Sequence, residues 1–140
     1  MFQTVVVGAD GSATAAEAVQ RAIELVKLAG GRLHIVSAYR PRQLRSDAGE
    51  EFAKSLDSGD RAESVLADLA SRAQISGVGV QTHCISGPAA DVICQVATDV
   101  HADVIVVGNK GMTGVRRVLG SVPNSVAHQA PCDVLIAMTT

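Results

Sequence analysis

Residues 104–107 read Val-Ile-Val-Val and are stopped by Gly108. A strand with no polar position has no face to offer water, so it belongs inside a parallel sheet covered by helices on both faces. The residues beyond the strand narrow the possibilities. Gly111, Gly114 and Gly120 punctuate a loop that carries Lys110, Arg116 and Arg117, and then Ser121 opens a short helical pattern through Val122, Val126 and Ala127. Glycines admit positive φ and remove the Cβ atoms that keep a ligand off the backbone, so successive N–H groups can converge on an anion. Ser121 is the expected N-cap of this helix, and a helix start presents unpaired N–H groups and about half a positive charge. Glycine turns and an ordinary cap would explain each residue singly. Buried strand, glycine loop, cations and helix start in succession point to a phosphate site.

The rest of the chain supplies a sheet for that segment. Residues 4–7 are an apolar, β-branched strand running into Gly8-Ala-Asp-Gly-Ser12. Ser12 or Thr14 can cap the next helix, Thr14 and Glu17 have capping-box spacing, and Val19, Ile23 and Val26 repeat at helical intervals up to Gly30-Gly31. Residues 33–36 read as a second strand, with Ala38 and Tyr39 leading out of it. Residues 40–56 are polar, hold Pro41 and Gly49, and read as a loop with at most a turn of helix near residues 50–54. A helical pattern returns over residues 58–73 through Val65, Leu66, Leu69 and Ala73 and ends at Gly77. Residues 78–85 alternate apolar and polar, as a half-exposed strand does. Pro88 is expected at the first position of the next helix, whose stripe is Val92, Ile93, Val96 and Val100. Pro131 stops the short last helix, and residues 134–138 form a fifth strand. Strands alternating with helices define an α/β fold, a doubly wound five-stranded parallel sheet with helices on both faces and right-handed crossovers.

Composition sets the outer limits. With 140 residues, 47% of them hydrophobic, the chain suits one domain, residues 1–140, with one sizeable core. Its aromatic side chains are only Phe2, Tyr39 and Phe52, and the formal net charge is −2, so neither stacking platforms nor a basic field for nucleic acid is expected. Cys84, Cys94 and Cys132 are widely spaced and fit buried, reduced thiols. The sequence contains neither a long apolar run nor a signal-like start, which points to a soluble cytoplasmic protein with no membrane partner.

Gly108-Asn-Lys-Gly111 followed by Gly120-Ser121 resembles the nucleotide loop G-x-x-G-(x)9-G-[S/T] of the universal stress protein family. Here eight residues, 112–119, separate Gly111 from Gly120. The similarity runs along the chain, through VVVGADGS, LHIVSAY, VVGNKG and GSVPNSVAHQAPCDVLI. Together with the half-exposed third strand, it favours the flavodoxin-like, Rossmann-like strand order 3-2-1-4-5, with a ligand crevice at the carboxyl ends of strands one and four. The resemblance implies that Asp10 contacts the nucleoside and that Ala9 and Ile35 offer backbone groups to adenine. It further implies that Val107, Gly108 and Gly111 meet ribose and phosphate, and that Gly120, Ser121 and Val122 bind phosphate oxygens. Pro123 has no N–H, so Asn124 is the next expected donor, while Lys110, Arg116 and Arg117 could reach the phosphate tail. ATP, with or without Mg2+, is the expected ligand of a stress-response or signalling module, and cAMP or AMP the alternatives.

Residues alone leave Asp10 a second role, as the side chain of an Asx-turn. His34, His83, His101 and His128 lie on different elements without metal spacing and read as surface or strand-filling residues. Neither a nucleophile elbow nor a P-loop is present, so binding is better supported than slow ATP hydrolysis or nucleotidyl transfer. A flavin site lacks an aromatic cover, and a phospho-accepting receiver would need an acidic residue where the third strand ends in Ile85-Ser-Gly87. The apolar last strand, at a sheet edge without charge or proline after Asp133, is expected to pair two subunits through Val134, Ile136 and Met138. Dimerisation through that strand is also what the resemblance implies.

Overall fold

The computed structural model describes residues 1–40, 48–109 and 120–139, with the backbone alone over 48–58. The elements are β1 (Thr4–Gly8), α1 (Ala13–Ala29), β2 (Arg32–Tyr39), α2 (Ala48–Ile75), β3 (Gly79–Ser86), α3 (Ala89–Asp99), β4 (Val104–Gly108), α4 (Ser121–Gln129) and β5 (Asp133–Ala137). All strand pairs are parallel and the order is β3-β2-β1-β4-β5. The fold is therefore the doubly wound α/β sheet expected.

Successive residues of a strand face opposite sides of the sheet, and the two apolar clusters divide on that rule. Val5, Val7, Leu33, Ile35, Val104 and Val106 meet α1 and α2 on one face. Val6, Val36, Ile105 and Val107 meet α3 and α4 on the other. The continuous runs in β1 and β4 exist because each strand has two cores to fill. β3, which is at the edge, is partly exposed as expected but does not alternate, since Gln81 and Thr82 are both exposed and His83 and Cys84 both half-buried.

At the end opposite the crevice, the carboxylate of Asp103 accepts from the N–H groups of Gln3 and Thr4, both at 2.9 Å, while Asp103 N–H donates to Thr4 carbonyl at 2.8 Å. These bonds fix the register in which β1 lies beside β4. Helix α1 is capped by Ser12, whose Oγ accepts from Ala15 N–H at 3.1 Å, and it ends on the left-handed Gly30. The second glycine serves proximity, since a Cβ on Gly31 would collide with the backbone of Gln3.

The expected loop over residues 40–56 is corrected from Ala48 onward, because α2 already runs there and continues for 28 residues. Glu50, Glu51, Ala53, Lys54 and Leu56 are good helix formers, but a segment with few apolar residues shows no 3.6-residue stripe and so reads as loop. Residues 41–47 lie outside the described residues. Pro88 is the N-cap of α3, one place before the first helical position expected of it. β5 ends at Ala137, one residue short of the expected Met138. Cys94 is buried, whereas Cys84 and Cys132 are half-buried, so only one of the three thiols meets the expectation of full burial. Burial pushes all three thiols above the ordinary cysteine range, with neighbouring carboxylates adding to the shift. No helix among the described residues is long and apolar enough to cross a membrane.

Two histidines that the sequence left unrelated form a pair. His34 Nδ1 and His83 Nε2 lie 3.0 Å apart across β2 and β3, with ring centroids at 5.2 Å, so one ring donates its proton to the other. Burial lowers the pKa of both. At His34 the charges of His83 and Arg32 deepen the effect, and at His83 Asp99 opposes it. A base whose folded pKa lies below its unfolded value binds fewer protons folded than unfolded. The contribution of the neutral pair is thus complete above the unfolded histidine pKa of about 6.5, and it is lost as pH falls through that value toward the folded ones. We expect the melting temperature to fall between about pH 7.5 and pH 5.5, and the fall to be shallower in His83→Gln, as read by scanning calorimetry.

Candidate functional site

β1 and β4 are neighbours whose onward connections leave in opposite directions, to β2 on one side and β5 on the other. Their carboxyl ends therefore open into a crevice, the place where sheets of this class bind ligands. It has a volume of ≈ 360 Å3. Its walls are mostly apolar, with Val36, Ala38, Ile93, Val107 and Val122 among them. Residues at or beside the N-termini of three helices also line it: Ser12 and Thr14 for α1, Ala89 for α3, and Gly120 and Ser121 for α4. Asp10 supplies the carboxylate among the described lining residues.

Chemically, this is an apolar slot with a positive end. The first N–H groups of a helix have no intrahelical acceptor, and the aligned peptide dipoles favour negative charge there. At α4 these groups belong to Ser121 and Val122, because Pro123 has none. An anion seated there would take the place of acceptors that the helix cannot provide.

Of the residues expected at the site, Ala9, Asp10, Val107, Gly108, Gly120, Ser121 and Val122 line this crevice. Ile35 does not. It is wholly buried, and its side chain faces α1 and α2, while Val36 and Ala38 of the same strand line the crevice. The alternation of β2 decides this, and the carbonyl of Val36 accepts from Ala9 N–H at 2.9 Å. Asn124 is exposed on α4 and its N–H is already donated to Gly120 carbonyl at 3.1 Å, so its backbone is not a donor to the crevice. The N-cap of α4 is Gly120, without a side-chain hydrogen bond, and Ser121 is the first helical residue in place of the cap expected. Lys110, Gly111, Arg116 and Arg117 lie outside the described residues. Among the described residues no group of three or more His, Cys, Asp or Glu could hold a metal ion.

The Asx-turn reading of Asp10 is met. Its Oδ1 accepts from Ser12 N–H at 3.0 Å, closing an Asx-turn, and the residue is one of those that line the crevice. The turn passes through Gly11 at φ 86°, where an added Cβ would stand 3.1 Å from Val65 Cγ2. Sequence reasoning missed Asn109, which is fully buried just past β4 and bonded to Thr139. Its place between Gly108 and Lys110 had suggested only loop.

Similarity to known proteins coincides with this geometry. The model of the universal stress protein family matches residues 1–137. The chain belongs to the universal stress protein family. A universal stress protein of Mycobacterium tuberculosis H37Rv is 37% identical over 145 residues, covering 99% of this chain and 98% of the relative. A universal stress protein crystallised in complex with cAMP is 34% identical, with a TM-score of 0.78 and 99% and 98% of the two chains covered. A family protein from Arabidopsis thaliana with AMP bound shares the fold at a TM-score of 0.73 and 20% identity, covering 99% of this chain and 92% of its own.

In this universal stress protein, Gly11→Ala forces a left-handed backbone and a tight Val65 contact on a residue with a Cβ. The expected loss of stability is about 1–2 kcal/mol in urea denaturation.

Proposed function

We propose that this universal stress protein binds an adenine nucleotide in the crevice between β1 and β4 and acts as a stress-response or signalling module. The observation that carries the reading is the joint lining of one ≈ 360 Å3 crevice by apolar strand residues and by Ser121 and Val122 at the start of α4. Adenine and ribose have the size and apolar faces for the first part, and a phosphate has the charge for the second. Asp10 accepts from a ribose hydroxyl or the adenine amine, and Gly108 and Gly120 admit the sugar and phosphate close to the backbone. Gly111, Lys110 and Arg117 belong to the same proposed site on sequence grounds, as do the backbone groups of Ile35 and the side chain of Asn124.

ATP is the first candidate, with any Mg2+ carried on its phosphate oxygens. cAMP is the second, favoured by the cAMP complex of a relative 34% identical to this chain. Calorimetric titration of the purified chain with ATP, AMP and cAMP, after mass spectrometry of any ligand released on denaturation, separates them. Gly120→Val is expected to abolish binding in a folded protein, since its side chain fills the phosphate position. Asp10→Asn keeps the acceptor for Ser12 N–H but loses the charge, and should weaken binding by about 1–3 kcal/mol. Unaltered affinities in both variants would remove the crevice as the site.

The proposal extends to a cytoplasmic homodimer paired through residues 134–138. β5 is an edge strand, with Leu135 40% exposed on it and Met138 50% exposed just beyond its end. Unpaired N–H and C=O groups beside exposed apolar side chains favour pairing with a second copy about a two-fold axis. Val134 and Ile136 already pack against the α3 and α4 face, so Leu135 is the residue to change. Analytical ultracentrifugation at micromolar concentration should find a dimer for wild type and a monomer for Leu135→Lys. A monomeric wild type, or a dimeric variant, assigns the interface elsewhere.

A further inference from the structure

The pairing of β4 with β5 ends at Gly108 and Ala137, yet the two strands stay joined beyond that point. Asn109 is 0% exposed, and its Oδ1 accepts from both the N–H of Thr139 at 2.7 Å and the Thr139 hydroxyl at 3.0 Å. Its Nδ2 donates toward Met138 Sδ at 3.5 Å. Thr139 Oγ1 also stands 3.1 Å from the position a Cβ would take on Gly108, so the segment after β5 lies against a residue that lines the crevice. On the other side, Arg21 Nη2 of α1 donates to Met138 carbonyl at 3.3 Å. Side-chain bonds thus take over where the backbone ladder stops, and they do so at the point where the chain leaves β4.

A buried amide that is satisfied by a specific partner has one low-energy orientation, because every alternative leaves polar atoms unpaired. We propose that Asn109 is a positioning residue for nucleotide binding. Held by Thr139, it fixes the backbone of Gly108 and Asn109 and makes the affinity of the crevice depend on Met138 and Thr139, neither of which lines it. The inference rests on the nucleotide reading of the crevice. Linkage requires the converse as well, so a bound nucleotide steadies Thr139 in turn.

The test uses the full chain with Thr139→Val, which removes only the hydroxyl bond, Thr139→Ser, which keeps it, and Asn109→Ala. ATP and cAMP are titrated, and amide exchange at Gly108 and Asn109 is followed by NMR without nucleotide. Thr139→Val should weaken the nucleotide that wild type binds by about two- to tenfold, the worth of one hydrogen bond, and Thr139→Ser should restore it. Added to Asn109→Ala, Thr139→Val should cost nothing more, because both changes break the same bond. Exchange at Gly108 and Asn109 should be faster in Thr139→Val than in wild type or Thr139→Ser. Equal affinity in wild type and folded Thr139→Val, or equal loss in the Ser and Val variants, overturns the proposal. Should wild type bind neither nucleotide, the crevice reading fails, and the exchange comparison alone decides: faster exchange in Thr139→Val upholds the positioning of Gly108 and Asn109, and unchanged exchange overturns it.

Discussion

The parallel pairing of β1 with β4 is the constraint on which the rest of this structure depends. It joins residues about a hundred positions apart, Val5 with Val104 and Val7 with Val106, and Asp103 locks it by accepting from Gln3 and Thr4 N–H groups. Once these strands are neighbours, right-handed crossovers send α1 and α2 to one face and α3 and α4 to the other. The N-termini of α1, α3 and α4 then converge on one end of the sheet. The crevice follows from topology before any lining side chain is specified.

That origin shapes the chemistry available. Among the described lining residues the ionisable side chain is a carboxylate, Asp10, so the attraction for an anion there comes from peptide dipoles and unpaired amides. Such groups are held by the helices themselves and need no reorganisation to meet a ligand. Their geometry depends instead on how the strands and turns around them are held. Asp10 illustrates this, because its carboxylate closes the turn leading into α1 at a residue that lines the crevice. Asn109 is the counterpart beyond β4, a buried amide that ties the floor of the crevice to the residues after the edge strand.

Departures from expectation have separate local causes. Residues 48–56 form helix without an apolar stripe, so periodicity had nothing to detect, although their composition favours helix. Ile35 and Val36 are adjacent apolar residues in one strand, and which side chain meets the crevice depends on the face each takes, whereas the role expected of Ile35 rests on its backbone groups. Ser121 looked like the cap and Gly120 is the cap, a displacement of one residue that helix boundaries commonly show.

By itself the sequence determined the fold class, the element order and the ends of strands that matter. Apolar runs such as residues 104–107, and the alternation of apolar and polar residues over 78–85, are local consequences of having two cores to fill or one. It also marked Gly108, Gly120 and Ser121, because glycines and a helix start after a strand are local signals of close backbone approach, whereas Ala9, Val107 and Val122 were named only by the resemblance to the family. Tertiary structure alone decided which residues meet across long separations: His34 with His83, Asp103 with Thr4, Asn109 with Thr139. These are polar pairs with no periodicity and no motif. Their partners become known only when parallel strands take their register, since the register sets which side chains share a face and which buried polar atoms must find one another.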